Sequence, residues 1–195
     1  MLYKITTKLF RGKYQYKIVL VCSVSAWFRS GDMPETIQRI KELDSPKRQD
    51  AKEYGLKIAL ELLNHQDVDV RVESPWISVY TNDKKLIDRL AKIDKNNVKY
   101  ISEPAGSLEE NTILMPKMNF DYRITLGKTT QEHSSFIAWA ESNPKLKLTP
   151  SCKKDLLKER TWGGKHFYLT GDNNLLLAKM HLGGSIAKIE RIVKK

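Results

Sequence analysis

Apolar and polar positions alternate along the chain with two distinct periods, and the order in which those periods follow one another is the first structural signal. Residues 16–22 (YKIVLVC) form a β-branched, apolar run that predicts a strand buried on both faces. Two helical stretches follow. Residues 34–43 open with proline and early acids, and residues 51–63 set Leu56, Ala59, Leu60 and Leu63 on one stripe, with the polar loop DSPKRQD between them. Residues 68–73 (VDVRVE) alternate strictly and residues 76–80 (WISVY) are aromatic and β-branched, so the Ser-Pro step between them predicts a hairpin turn. An amphipathic helix over 83–93, with Asp83 at its start, and a short strand over 97–101 complete the order β-α-β-β-α-β.

The second half repeats that order. Residues 122–126 (YRITL) match residues 16–20 (YKIVL) in type at every position, and a short helix over 134–141 and an alternating strand over 145–149 follow. Strand 166–169, helix 173–182 and strand 186–193 complete it. Thr81, Asp83 and Leu86 stand in the same spacing as Thr170, Asp172 and Leu175. The pattern therefore predicts an α+β chain, a tandem ferredoxin-like fold in which a duplicated β-α-β-β-α-β unit forms antiparallel sheets. Its expected parts are a first unit over 1–104, a linker over 105–116 rich in turn-forming and acidic residues, and a second unit over 117–195. The first unit carries an extra helix and an extra N-terminal strand within residues 2–10, which the intervening Arg-Gly-Lys predicts to hairpin onto strand 16–22.

Composition narrows the class. The 195 residues are 41% apolar and 29% charged, an ordinary globular balance that excludes a mainly disordered chain. No apolar run approaches the ~18 residues of a membrane-spanning helix, and residues 1–31 lack a secretory leader pattern. Cys22 and Cys152 have no metal-ligand spacing, so the expectation is a reducing, cytoplasmic setting with no metal and no cofactor. The net charge of +11 favours a polyanionic partner, and it is segregated. Residues 1–31 carry six basic and no acidic side chains, and residues 143–195 carry a net +8, whereas the stretch between them is net −3.

Aromatic residues accompany that charge. Residues 158–168 (KERTWGGKHFY) gather Arg160, Trp162, Lys165, Phe167 and Tyr168 around a glycine pair, and residues 26–32 (AWFRSGD) join Trp27 to Arg29. The first of these segments resembles, over a handful of residues, the basic-Gly-aromatic signature of RNA-recognition motifs, which implies bases stacked on the strand's aromatics. The expected interface is for RNA or another single strand. Lys4, Lys8, Arg11, Lys13, Arg29, Lys153, Lys154, Arg160 and Lys165 contact phosphates, and Trp27, Trp162, Phe167 and Tyr168 stack on bases.

Two alternatives accompany this reading. CRISPR RNA-processing endonucleases look like tandem ferredoxin-like, basic proteins of this size, which would imply metal-independent RNA cleavage. His133, near a helix start, is the one catalytic candidate, and the glycine-rich C-terminal motif of those enzymes is not matched by LGGSIAKIERI. The other alternative is an interaction module that self-assembles into a homo-oligomer through an uncovered strand edge and binds no nucleic acid.

Overall fold

The computed structural model describes residues 2–106 and 108–194; Ser107 of the expected linker, and Met1 and Lys195 at the ends of the expected units, lie outside the described residues. The chain forms two compact units, Met1–Glu110 and Asn111–Lys195. It is an α+β protein with two five-stranded mixed sheets, one in each unit.

In unit one, strands β1 (Tyr3–Thr6) and β2 (Tyr16–Val21) precede a 3-10 helix (Ser25–Ser30), helices α1 (Met33–Lys41) and α2 (Gln49–Leu63), and strands β3 (Val68–Glu73) and β4 (Trp76–Thr81). Helix α3 (Lys84–Ile93) and strand β5 (Val98–Pro104) complete it. Local chemistry sets the helix starts: Asp32 accepts a hydrogen bond from Glu35 N at 2.9 Å ahead of α1, and Asp83 accepts from Lys85 N at 2.8 Å ahead of α3. Alternation then aims Ile18 and Leu20 of β2 and Ile77 and Val79 of β4 at the helices, where Ile40, Ile58, Leu86 and Leu90 close a core with no solvent exposure. Helix α2 packs so tightly that a Cβ on Gly55 would stand 2.5 Å from Val24 Cγ2.

In unit two, the elements are β6 (Thr112–Leu114), β7 (Tyr122–Leu126), α4 (Ser134–Ser142), β8 (Leu146–Leu148), α5 (Pro150–Leu156), β9 (His166–Leu169), α6 (Asp172–Leu182) and β10 (Ile186–Val193). Its core joins Ile124, Phe136, Phe167, Leu156 and Ala178.

The two sheets share one plan. Their orders are β1-β5-β2-β4-β3 and β6-β10-β7-β9-β8, and in each the first strand lies parallel to the last while the other pairings are antiparallel. Registers match as well. Lys17 faces Ser102 and Tyr80 across its two neighbouring strands, as Arg123 faces Glu190 and Tyr168. Each last strand carries a bulge at the corresponding place, at Lys99 and at Ala187.

Three expectations are corrected. The sheets are mixed, because β1 and β6 each add in parallel. Strand β1 does not hairpin onto β2, since both edges of β2 are taken by β4 and β5, so β1 pairs with β5 instead. The expected linker contains β6, which is held by Ile113 and Ile192 packing beneath Met115 and Phe120.

In both units the segment between the added strand and the next one crosses the sheet face that turns away from the helices. There it lays a phenylalanine on the tyrosine opposite the central cation. Phe10 lies 5.8 Å from the Tyr80 ring, and Phe120 stacks 5.9 Å from Tyr168.

A candidate nucleic-acid interface

Beyond the ends of β7 and β9 the chain continues as a two-stranded arm. Leu126 N donates to Lys165 O at 2.8 Å and Gly164 N to Leu126 O at 2.7 Å, and Thr129 and Thr161 exchange backbone bonds of 3.3 and 3.2 Å. Gly163 makes the join, with φ +76 and a virtual Cβ 2.4 Å from the Gly127 carbonyl group, so no side chain fits there. Residues 160–165 are thereby held against 126–130.

The arm displays Trp162, 88% exposed, with Lys128 Nζ 5.1 Å from its ring centroid. Arg160 lines the same groove and Lys165 is exposed on the same strand of the arm, and among the described residues none of these three cations forms an ion pair. A groove of about 510 Å³ is lined by Lys128, Thr129, Thr130, Arg160, Thr161 and Trp162. It adjoins a depression of about 410 Å³ that shares its three central residues and runs to Met180 and Gly184. The combination presents a large uncovered π-face flanked by unneutralised cations. That geometry suits a stacked base with phosphates on either side.

The base of the arm is tied down by His133. Its imidazole is 4% exposed, Nε2 lies 3.1 Å from Ser185 Oγ, and its backbone N–H donates to Leu156 O at 2.8 Å. Gly127 N donates to Ser185 O at 2.8 Å, so ring and arm meet on one serine. Burial lowers the His133 pKa below its ordinary value. The catalytic candidate is thus an enclosed neutral ring with a structural partner.

The other sequence-predicted contacts stand in varied surroundings. Phe167 has no exposure and belongs to the helix-side core, as strand alternation requires of its neighbours Ile124 and Leu169. Tyr168 faces the other way but is buried beneath Phe120. Trp27 is half-buried against the unit-one core, while Arg29 beside it is exposed. Lys153 is paired with Glu141, and Lys154 is exposed on α5. In unit one Arg11 pairs with Asp69 and Lys13 with Asp67, whereas Lys8 is exposed and Lys4 sits 4.0 Å over the Tyr100 ring. The predicted residues are therefore divided between the two units, and Arg160, Trp162 and Lys165 are carried on one arm.

The centre of the unit-two sheet face is polar and charge-paired. Glu190 is 1% exposed, its Oε2 accepts from Arg123 Nε at 2.8 Å, and Lys188 Nζ reaches its Oε1 at 2.9 Å. Burial raises the carboxyl pKa, but the bonds from Lys188 and Arg123 more than offset it and hold Glu190 below the usual carboxylate range. Residues missed by sequence reasoning include Lys128 on the arm and, on the unit-one sheet, Lys17, Trp76, Tyr80, Lys99 and Tyr100. Comparison with protein families, with curated proteins and with solved structures finds no match to this chain.

Proposed function

We propose that the protein binds single-stranded nucleic acid, RNA in the first instance, through the arm of unit two. Trp162 stacks on a base while Lys128, Arg160 and Lys165 contact neighbouring phosphates. The observation that carries this reading is Trp162 itself: an almost fully exposed indole has a hydration cost that a folded chain ordinarily avoids, and here Lys128 lies over it and Arg160 shares its groove, neither in an ion pair among the described residues. We read each unit as ferredoxin-like with one strand added, and the shared strand order, register and bulge position as the mark of an internal duplication. The two cysteines are buried free thiols, which suits the reducing, cytoplasmic setting that we propose.

The test is affinity for a fluorescent single-stranded RNA by anisotropy. Trp162→Ala weakens binding roughly five- to 150-fold, the loss of one stacked base. Trp27→Phe, which alters a ring packed on the core, leaves affinity unchanged. Equal affinity for wild type and Trp162→Ala overturns the proposal.

A further inference from the structure

Among the described residues, a second set of rings and uncompensated cations lies on the unit-one sheet face that turns away from the helices. Strand alternation alone places Trp76 and Lys17 there, and the bulge in β5 adds two more side chains. Because Val98 and Tyr100 face the consecutive residues Leu20 and Val19, the extra residue Lys99 is turned to the same side as Tyr100. Lys99 Nζ rests 3.2 Å from the Trp76 ring centroid, and Lys4 and Lys17 lie 4.0 and 5.4 Å from that of Tyr100. Trp76 on β4 and Tyr100 on β5 stand on either side of β2.

Charge pairing sharpens the case. The acids along β3 and just before it are all neutralised, Asp67 by Lys13, Asp69 by Arg11 and Glu73 by Arg71. Lys4, Lys17 and Lys99 rest against aromatic rings and pair with no carboxylate among the described residues. Each is an ammonium already parked on the face where a base would stack, free to move outward to a phosphate. The crossing segment leaves this half of the sheet open. Phe10 and Tyr14 bury Tyr80, whereas Trp76 is 37% exposed.

Unit two lacks the same set. Its bulge residue is Ala187 where unit one has Lys99, and Lys188 stands where unit one has Tyr100. A duplicated scaffold thus carries its rings in different places in its two copies.

We propose that Trp76, Lys99, Tyr100, Lys4 and Lys17 form a second single-stranded nucleic-acid platform, on unit one. It stacks two bases and contacts the phosphates around them. The ligand class is the one proposed for the arm of unit two, and the test separates the two sites.

The probe is a short oligouridylate containing 5-iodouracil, photo-crosslinked to the full-length chain and mapped by peptide mass, with anisotropy on the same oligonucleotide. In a Trp162→Ala background, adducts fall on Trp76 or Tyr100, and Trp76→Leu lowers the residual affinity by roughly fivefold or more. Lys99→Ala, a change at an exposed side chain that leaves the core untouched, lowers it as well, so a folding defect cannot account for both losses. Adducts confined to Trp162 in the wild type, or residual affinity indifferent to both substitutions, overturn this platform and leave the arm standing. Adducts at 76 and 100 with a wild-type affinity insensitive to Trp162→Ala support this platform and sink the arm. No binding by any form overturns both.

Discussion

Gly163 and Gly164 are adjacent, both have left-handed backbone angles near φ +80, and they differ in one respect. A Cβ on Gly163 would stand 2.4 Å from the Gly127 carbonyl carbon and oxygen and 2.8 Å from Leu126 O, whereas a Cβ on Gly164 meets nothing within 4 Å. Substitution by alanine therefore separates conformational cost from displacement of the arm. Gly164→Ala bears only the left-handed penalty, about 1–2 kcal/mol. Gly163→Ala bears that and the steric strain of pushing backbone from backbone, about 1–3 kcal/mol more. Since the crowded atoms belong to the strand that carries Lys128, relief of the clash moves Lys128 away from Trp162. Urea midpoints by circular dichroism therefore fall further for Gly163→Ala than for Gly164→Ala. RNA affinity drops about tenfold for Gly163→Ala alone, a loss of about 1.4 kcal/mol. Equal losses of stability and of affinity in the two variants would refute the reasoning that close approach at Gly163 builds the site.

Three further outcomes follow from buried groups of the two units. Arg123→Ala strands the enclosed Glu190 with Lys188 alone and costs about 3 kcal/mol by urea denaturation, the lower end for a broken buried pair; a loss under about 1 kcal/mol contradicts the pairing. Burial holds His133 and His166 below the ordinary histidine pKa of 6.5, so the unfolded chain takes up protons first as pH falls. Stability is therefore full above about pH 6.5 and declines through the acid range below it, and His133→Asn flattens that decline; an unchanged slope in the variant counts against a buried neutral ring. Burial, with Asp155 adding, pushes the Cys152 thiol up to about 12, and Cys22 is likewise raised by burial, so the native chain resists a thiol-specific reagent at pH 8 and reacts once unfolded. Prompt modification of the native protein contradicts both placements.

The patterns that read correctly from sequence are those in which one face of an element meets a large core. Strand β2 with Ile18 and Leu20, strand β7 with Ile124 and Leu126, and helix α3 with Leu86 and Leu90 declare themselves through period alone. What escaped depends on distant partners. Strand β6 has three residues and exists because β10 offers it an edge, and helix α5, hidden in SCKKDLL, is fixed by the Thr149 cap and the burial of Cys152 and Leu156. Alternation sends Phe167 and Tyr168 to opposite faces, so the two cannot share one stacking surface as expected, and nothing near Tyr168 in the chain announces that Phe120 covers it. The site divides in the same way. Trp162 beside Gly163 and Gly164 is visible as composition, yet Lys128 joins it only through the pairing of β7 with β9. On unit one, Lys99 and Tyr100 read as ordinary strand residues until a bulge turns both to one side.

If unneutralised cations of the arm hold the phosphates of a single strand, RNA affinity depends on salt differently in the wild type and in the Lys128→Ala, Arg160→Ala, Lys165→Ala triple variant. Each phosphate contact contributes about −0.7 to the log–log slope for a single strand, so the wild-type plot is linear and the slope of the variant is shallower by about two. An unchanged slope, or no binding by the wild type at low salt, would contradict those contacts.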